Sequence, residues 1–259
     1  MFVDTHFHLS EEEKFERERI ITDARSNGVD ILLLGGTSKI DNFDNIEIAK
    51  LFDGVFVEVG YHPSELSSIV DADYSLLEEL IINNKDVVVA IGEIGLDYYY
   101  GKDDYLLQIE AFERQLKIAE KYNLPVVIHS RDATFDTINI LKKYNLKGII
   151  HCFSGSLETA LEYINMGYYL GIGGVVTFKN SKLKDVVSAI SLDNIVLETD
   201  SPYLSPDRGK KNEPKNIRKI AEFIADLKNV SIDEVAKITT TNAISMFDLN
   251  NKLWYYFFK

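Results

Sequence analysis

Cysteine is almost missing from this sequence: Cys152 stands alone among 259 residues. A single thiol closes no internal disulfide, so a disulfide-stapled secreted scaffold is excluded and a reducing cytoplasm is the expected compartment. Long apolar runs are missing too. No stretch approaches the roughly 20 residues of a membrane-spanning helix, so no membrane partner is expected. Asp4 and His6 stand where a secretory leader would carry a basic and then an apolar run. The 5 prolines and 15 glycines gather into no linker, and there is no low-complexity stretch or internal repeat. Positive charge is scarce, with 28 Lys and Arg against 41 Asp and Glu, a net charge of −13. That disfavours a broad nucleic-acid footprint, which is normally a basic stripe. A small metal-centred contact with phosphate survives this test, because two divalent ions would add positive charge that the count omits.

Histidine is the scarce residue that is used pointedly. The chain has five, at positions 6, 8, 62, 129 and 151, and each lies at or just past the end of a β-like run. Imidazole is the commonest biological metal ligand. Eight short apolar or β-branched runs recur: Phe2–Thr5, Asp30–Leu34, Val55–Val59, Val87–Ile91, Pro125–Ile128, Gly148–Ile150, Tyr168–Ile172 and Ile195–Leu197. Apolar rather than alternating, they read as buried parallel strands. Helical segments stand between them, among them Glu11–Asn27, Asp104–Tyr122 and Ala133–Tyr144, with a weaker one at Asp185–Ile190. In the second, Leu107, Ala111, Gln115, Ile118 and Ala119 follow helical spacing. Pro214–Phe247 reads as two closing helices, with Ser231-x-x-Glu234 as a capping box.

Strands alternating with helices predict an α/β fold, a (β/α)8 TIM barrel of one domain spanning 1–259. An open doubly wound sheet is the competing fold. It would concentrate polar residues at one or two strand ends, whereas at least six of the eight runs end in His, Glu, Asp or a Gly-rich turn. A barrel builds its site from many strand ends.

The polar strand ends carry the chemistry. His6 and His8, two apart on a strand, point to one face, and their imidazoles can lean onto one ion. Glu93, between Gly92 and Gly95 in Ile91-Gly92-Glu93-Ile94-Gly95-Leu96-Asp97, ends the fourth run where the backbone can turn tightly. Its two oxygens can bridge two ions, or it can pair with a core cation; buried and unpaired it would be costly. His129 and His151 end the neighbouring fifth and sixth runs and can clamp a second ion. Asp200 ends the eighth run, beside the first in a barrel, and can bind the first ion and take a proton from water. The plainer use of Asp200 is a turn residue before Ser201-Pro202. Glu198 is expected one layer below, in support. Cys152 reads as a small core residue.

His62, in Gly60-Tyr61-His62-Pro63, is a candidate acid or phosphate donor, with a stacked loop histidine as the alternative. Arg131, Lys179 and Arg208, the last in a basic run with Lys210 and Lys211, are candidate substrate-binding residues. Ion pairs at the rim are their plainer use. The aromatic tail Leu253-Trp254-Tyr255-Tyr256-Phe257-Phe258 can stack bases, but packing as a terminal plug is the simpler expectation.

These motifs, together with Asp4-Thr5-His6-Phe7-His8, His129-Ser130-Arg131, His151-Cys152-Phe153-Ser154-Gly155 and Leu197-Glu198-Thr199-Asp200-Ser201-Pro202-Tyr203, resemble the TatD family of metal-dependent hydrolases. The resemblance runs from Phe2 to about Phe247. It implies one metal at His6, His8, Glu93 and Asp200, and a second at Glu93, His129 and His151. It further implies a divalent-metal deoxyribonuclease, exonuclease-like, with DNA ends or single strands as partner. Two divalent ions per chain are expected, Mg, Mn or Zn, with histidine ligands favouring Zn or Mn by affinity. A monomer is the expected state. A small-molecule amidohydrolase on the same site is the rival, weakened because no lysine ends strand four or five to be carbamylated. An inactive metal-binding protein is a second rival, and no ligand position is missing.

Overall fold

The structure, a computed structural model, describes residues 1–101 and 104–257, the last four by backbone alone. In chain order its strands and α-helices are β1 (Phe2–Phe7), α1 (Glu11–Ser26), β2 (Val29–Gly35), α2 (Lys39–Leu51), β3 (Val55–Val59), α3 (Asp71–Asn83), β4 (Val88–Asp97), α4 (Tyr105–Tyr122) and β5 (Val126–Arg131). There follow α5 (Thr134–Leu141), β6 (Gly148–Ile150), α6 (Leu157–Asn165), β7 (Tyr169–Ile172), α7 (Leu183–Ala189), β8 (Ile195–Leu197), α8 (Ile217–Lys228), α9 (Ile232–Met246) and α10 (Asn250–Phe257). The strand order is β1-β2-β3-β4-β5-β6-β7-β8, the order of a (β/α)8 barrel. The strands that pair are parallel and almost wholly buried, which explains why their sequences are apolar on both faces.

Contacts divide the chain into two compact units. One comprises Met1–Leu34 and Cys152–Ser245; the other comprises Gly35–His151 and the chain from Met246 onward. In the first unit β1 pairs with β2, Phe2 opposite Val29 and Asp4 opposite Leu32, and β7 pairs with β8, Leu170 opposite Ile195. The seam between β8 and β1 also lies inside this unit. Thr5 Oγ1 donates to the Leu197 carbonyl at 3.0 Å. Beyond the end of β8 the Asp200 N–H donates to the His6 carbonyl at 3.0 Å, and the His8 N–H to the Ser201 carbonyl at 2.7 Å. The closing helix α9 is pinned to β8 by Asn242, whose amide donates to the carbonyls of Leu192 and Ile195. Its N-terminus is capped as expected by Ser231, whose Oγ accepts from the Glu234 N–H at 3.1 Å.

In the second unit β3, β4, β5 and β6 pair in sequence order. The glycines around Glu93 do not end β4, contrary to the sequence reading. The strand runs on to Asp97, and Gly95 pairs with His129. Gly95 holds φ +147°, and a Cβ there would lie 1.9 Å from the His129 carbonyl oxygen. Glycine is what lets the two backbones approach. In α4 the buried face is Gln108, Ala111, Phe112, Gln115, Leu116, Ile118 and Ala119, so the expected Leu107 is exposed and Gln108 takes its place. The polar Gln108 is satisfied there: its Oε1 accepts from the Asp97 N–H, and its amide donates to the Asp97 carbonyl and to Asp104. The chain beyond Phe247 continues as α10, with Leu253 buried; the expected packing of the Trp254–Phe258 side chains lies outside the described residues.

Candidate metal centre

Within the first unit, His6 lies in β1 and His8 one residue past it. Same-face placement brings the two Nε2 atoms to 3.0 Å, and the rings meet edge to face at 4.6 Å. Asp200 Oδ1 is 3.7 Å from His8 Nε2. Ligand bonds of about 2.1 Å put two donors of one ion roughly 3–4 Å apart, so the His6–His8 pair and the His8–Asp200 pair each have ion-sized spacing. Asp200 is not in β8, which stops at Leu197; it sits in the turn that follows, at φ +53°. Aspartate tolerates this left-handed conformation better than most residues.

Buried carboxylates support this set from below. Asp4 is fully buried, and its oxygens accept from the Thr199 N–H at 2.9 Å, the Thr199 hydroxyl at 2.6 Å and the His6 N–H at 3.4 Å. Burial raises its pKa well above the ordinary carboxylate value, against the lowering by those hydrogen bonds. Glu198 Oε1 accepts from the Cys152 N–H at 2.5 Å and so ties down the turn after β6. Cys152 itself is half-buried at φ +46°, not a core residue, because β6 ends at Ile150 and no strand continues to carry it inward.

Within the second unit, Glu93 Oε1 is 2.7 Å from His129 Nδ1, 3.6 Å from His151 Nε2 and 3.8 Å from His62 Nε2. One ligand atom from each of Glu93, His129 and His151 fits within a 4.8 Å span, again the spacing of a shared ion. Burial pushes the Glu93 pKa up, but His151, His62 and His129 together hold it well below the usual range. Burial lowers the His129 pKa, yet the hydrogen bonds to Asp97 and Glu93 prevail and raise it to about 9. The His62 Nδ1 accepts from the Ser64 N–H at 3.1 Å, which leaves the ring proton on Nε2, the nitrogen turned toward Glu93.

A family model described as "TatD related DNase" matches residues 3–248. The chain belongs to the TatD family of metal-dependent hydrolases. A relative from Bacillus subtilis, the uncharacterized metal-dependent hydrolase YabD, is 40% identical over 96% of this chain and 100% of its own length. The Escherichia coli protein YcfH, with the same description, is 34% identical, with 96% of each chain covered. Among solved structures, the TatD homologue YjjV from Escherichia coli matches with a TM-score of 0.91 at 28% identity, over 95% of this chain and 98% of that one. The fold is therefore the (β/α)8 barrel of TatD proteins, and the protein is a metal-dependent hydrolase.

The remaining candidates are placed differently from one another in this TatD chain. Arg131 is exposed, with its guanidinium carbon 3.6 Å from the centre of the Tyr99 ring and Nη1 3.9 Å from Asp97 Oδ2. Its partner is thus Asp97. Arg208 stands 5.9 Å over Phe178. Lys179 is exposed and its carbonyl accepts from Lys184. Lys210 and Lys211 pair with Asp207 and Glu13. Sequence reasoning passed over three buried or part-buried carboxylates, Asp4, Glu58 and Asp97. The available signal was a charge inside an otherwise apolar run, as in Val55-Phe56-Val57-Glu58-Val59. Among the described residues no helix is long and apolar enough to cross a membrane.

Proposed function

We propose that the chain is a deoxyribonuclease that hydrolyses phosphodiester bonds at DNA ends or in single strands with two divalent ions, Mg, Mn or Zn. His6, His8 and Asp200 would hold one ion, and Glu93, His129 and His151 the other. Such ions supply, when bound, Lewis acidity toward the phosphoryl oxygen and acidity to the attacking water. The observation that carries the reading is the gathering of imidazole and carboxylate donors into two sets of ion-sized spacing. Asp200 takes the proton of the attacking water. His62 donates from Nε2 to the leaving or phosphoryl oxygen, since its Nδ1 is occupied by the Ser64 N–H. Arg131, Lys179 and Arg208 grip the charged backbone of the strand. The net negative chain requires this grip to be local.

The test is turnover by metal-loaded protein against labelled single-stranded DNA, double-stranded DNA, RNA and a panel of small cyclic amides. Metal-dependent release of nucleotides from DNA is the expected result. Amide hydrolysis without phosphodiester turnover would replace this reading with that of an amidohydrolase.

A further inference from the structure

We infer that Tyr100, which follows β4, is the stacking surface of a nucleobase subsite. This names a substrate feature of the proposed reaction and rests on that reading. A cavity of about 370 Å³ lies in the second unit, lined by Pro63, Ser64, Asp97, Tyr100, Asp104 and Gln108 among others. That is within the size range of small-ligand sites. It adjoins the chemistry on two sides. Ser64 holds His62 Nδ1, and Asp97 Oδ2 is 3.3 Å from His129 Nε2.

The lining decides what the cavity takes. Among the described residues that line it, the charged groups are the carboxylates of Asp97 and Asp104, which can accept from a neutral ring with N–H groups at its edge. Tyr100 supplies the face for such a ring. It is 86% exposed, far beyond what core packing would leave to an aromatic, and Tyr99 beside it is 56% exposed. The two rings meet edge to face at 4.9 Å, and the Arg131 guanidinium lies 3.6 Å over Tyr99 and 5.6 Å from Tyr100. Aromatic rings backed by arginine are how proteins without sequence preference hold unpaired bases. The described walls are also tied to one another. Gln108 fastens both backbone groups of Asp97 and the Asp104 carboxylate, and the Tyr99 N–H donates to Asp97 Oδ1 at 3.0 Å.

The test is nucleoside binding, which requires no hydrolysis. Deoxyadenosine and, separately, inorganic phosphate are titrated into the metal-loaded protein and followed by NMR shifts. Deoxyadenosine is expected to bind, and Tyr100→Ala to weaken it about tenfold. Tyr100→Trp, which keeps a stacking face, should bind within about twofold of the parent. Phe135→Ala, at another exposed aromatic of the same unit, should match the parent. No deoxyadenosine binding, equal affinity in Tyr100→Ala, or an equal loss in Phe135→Ala overturns the inference. Tyr100-dependent binding in a protein that cleaves no DNA would support the subsite and count against the nuclease reading alone.

Discussion

Asp97 Oδ2 stands 3.3 Å from His129 Nε2, while Nδ1 of the same ring faces Glu93 Oε1 at 2.7 Å. A carboxylate that holds one ring nitrogen as a donor fixes the tautomer and aims the other nitrogen's lone pair. Asp97 is thereby a positioning residue for His129, and Nδ1 is the nitrogen left for an ion. Asp97→Asn keeps an acceptor for the Tyr99 N–H but removes the charge that orients the ring. The expected effect is a loss of about 10–100-fold in affinity for the ion held at His129, read by metal titration. The set of His6, His8 and Asp200 should keep its affinity. Unchanged titration curves for both ions would remove Asp97 from this role.

Asp200→Asn separates chemistry from folding. The left-handed φ of Asp200 suits asparagine as well as aspartate, and the backbone bonds of this turn do not use the side chain: the Asp200 N–H reaches His6 and the Tyr203 N–H reaches the Asp200 carbonyl. The variant should therefore fold and keep most of its metal. It should lose at least about a hundredfold in turnover per metal-loaded molecule, the usual contribution of a positioned base. Near-parental turnover on that basis would mean Asp200 serves only the turn.

Strands buried on both faces write themselves into sequence as plain apolar runs, and all eight were readable for that reason. Their ends were harder. β4 continues from Ile91 to Asp97 through two glycines that, read alone, suggest a turn; what keeps the strand going is pairing with β5, a contact distant in sequence. β8 stops short of Asp200, whose place is set by backbone bonds to His6 and Tyr203 rather than by local preference. The histidines and Glu93 stood out as candidates because imidazoles and a carboxylate at strand ends have few other uses. Asp97 and Gln108 were not, because their roles follow from a side chain reaching across to His129 and to a loop backbone. Such partners emerge only once strands and helices are packed.

Gly95→Ala probes the close approach of β4 to β5. A methyl at this position would overlap the His129 carbonyl, and the φ of +147° is one that alanine resists. Both effects push the strands apart beneath a metal ligand. The expected loss is at least about 2 kcal/mol of unfolding free energy, measured by urea titration in the presence of chelator so that metal does not mask it. A change within about 0.5 kcal/mol, the range of neutral surface substitutions, would show that the backbone yields easily here.

Asp73→Ala tests an electrostatic cap remote from the metal centre. Helix α3 begins after Val70, which has no side-chain acceptor. Asp73 replaces it, with Oδ2 accepting from the Val70 N–H at 2.8 Å and from Lys39 Nζ at 3.1 Å. The Val70 hydrogen bond lowers the Asp73 pKa from 3.8, burial opposes this, and Lys39 adds to the lowering. A carboxylate with a depressed folded-state pKa stabilises the fold above its unfolded pKa, and that stabilisation is lost as pH falls through the folded value. The alanine variant should therefore be less stable by about 1 kcal/mol at neutral pH, the usual worth of such a cap. The gap between the two proteins should hold steady down to about pH 4 and narrow below it. Urea unfolding at several pH values reads both quantities. A gap that widens on acidification would mean that the Asp73 carboxylate is not stabilised in its charged form.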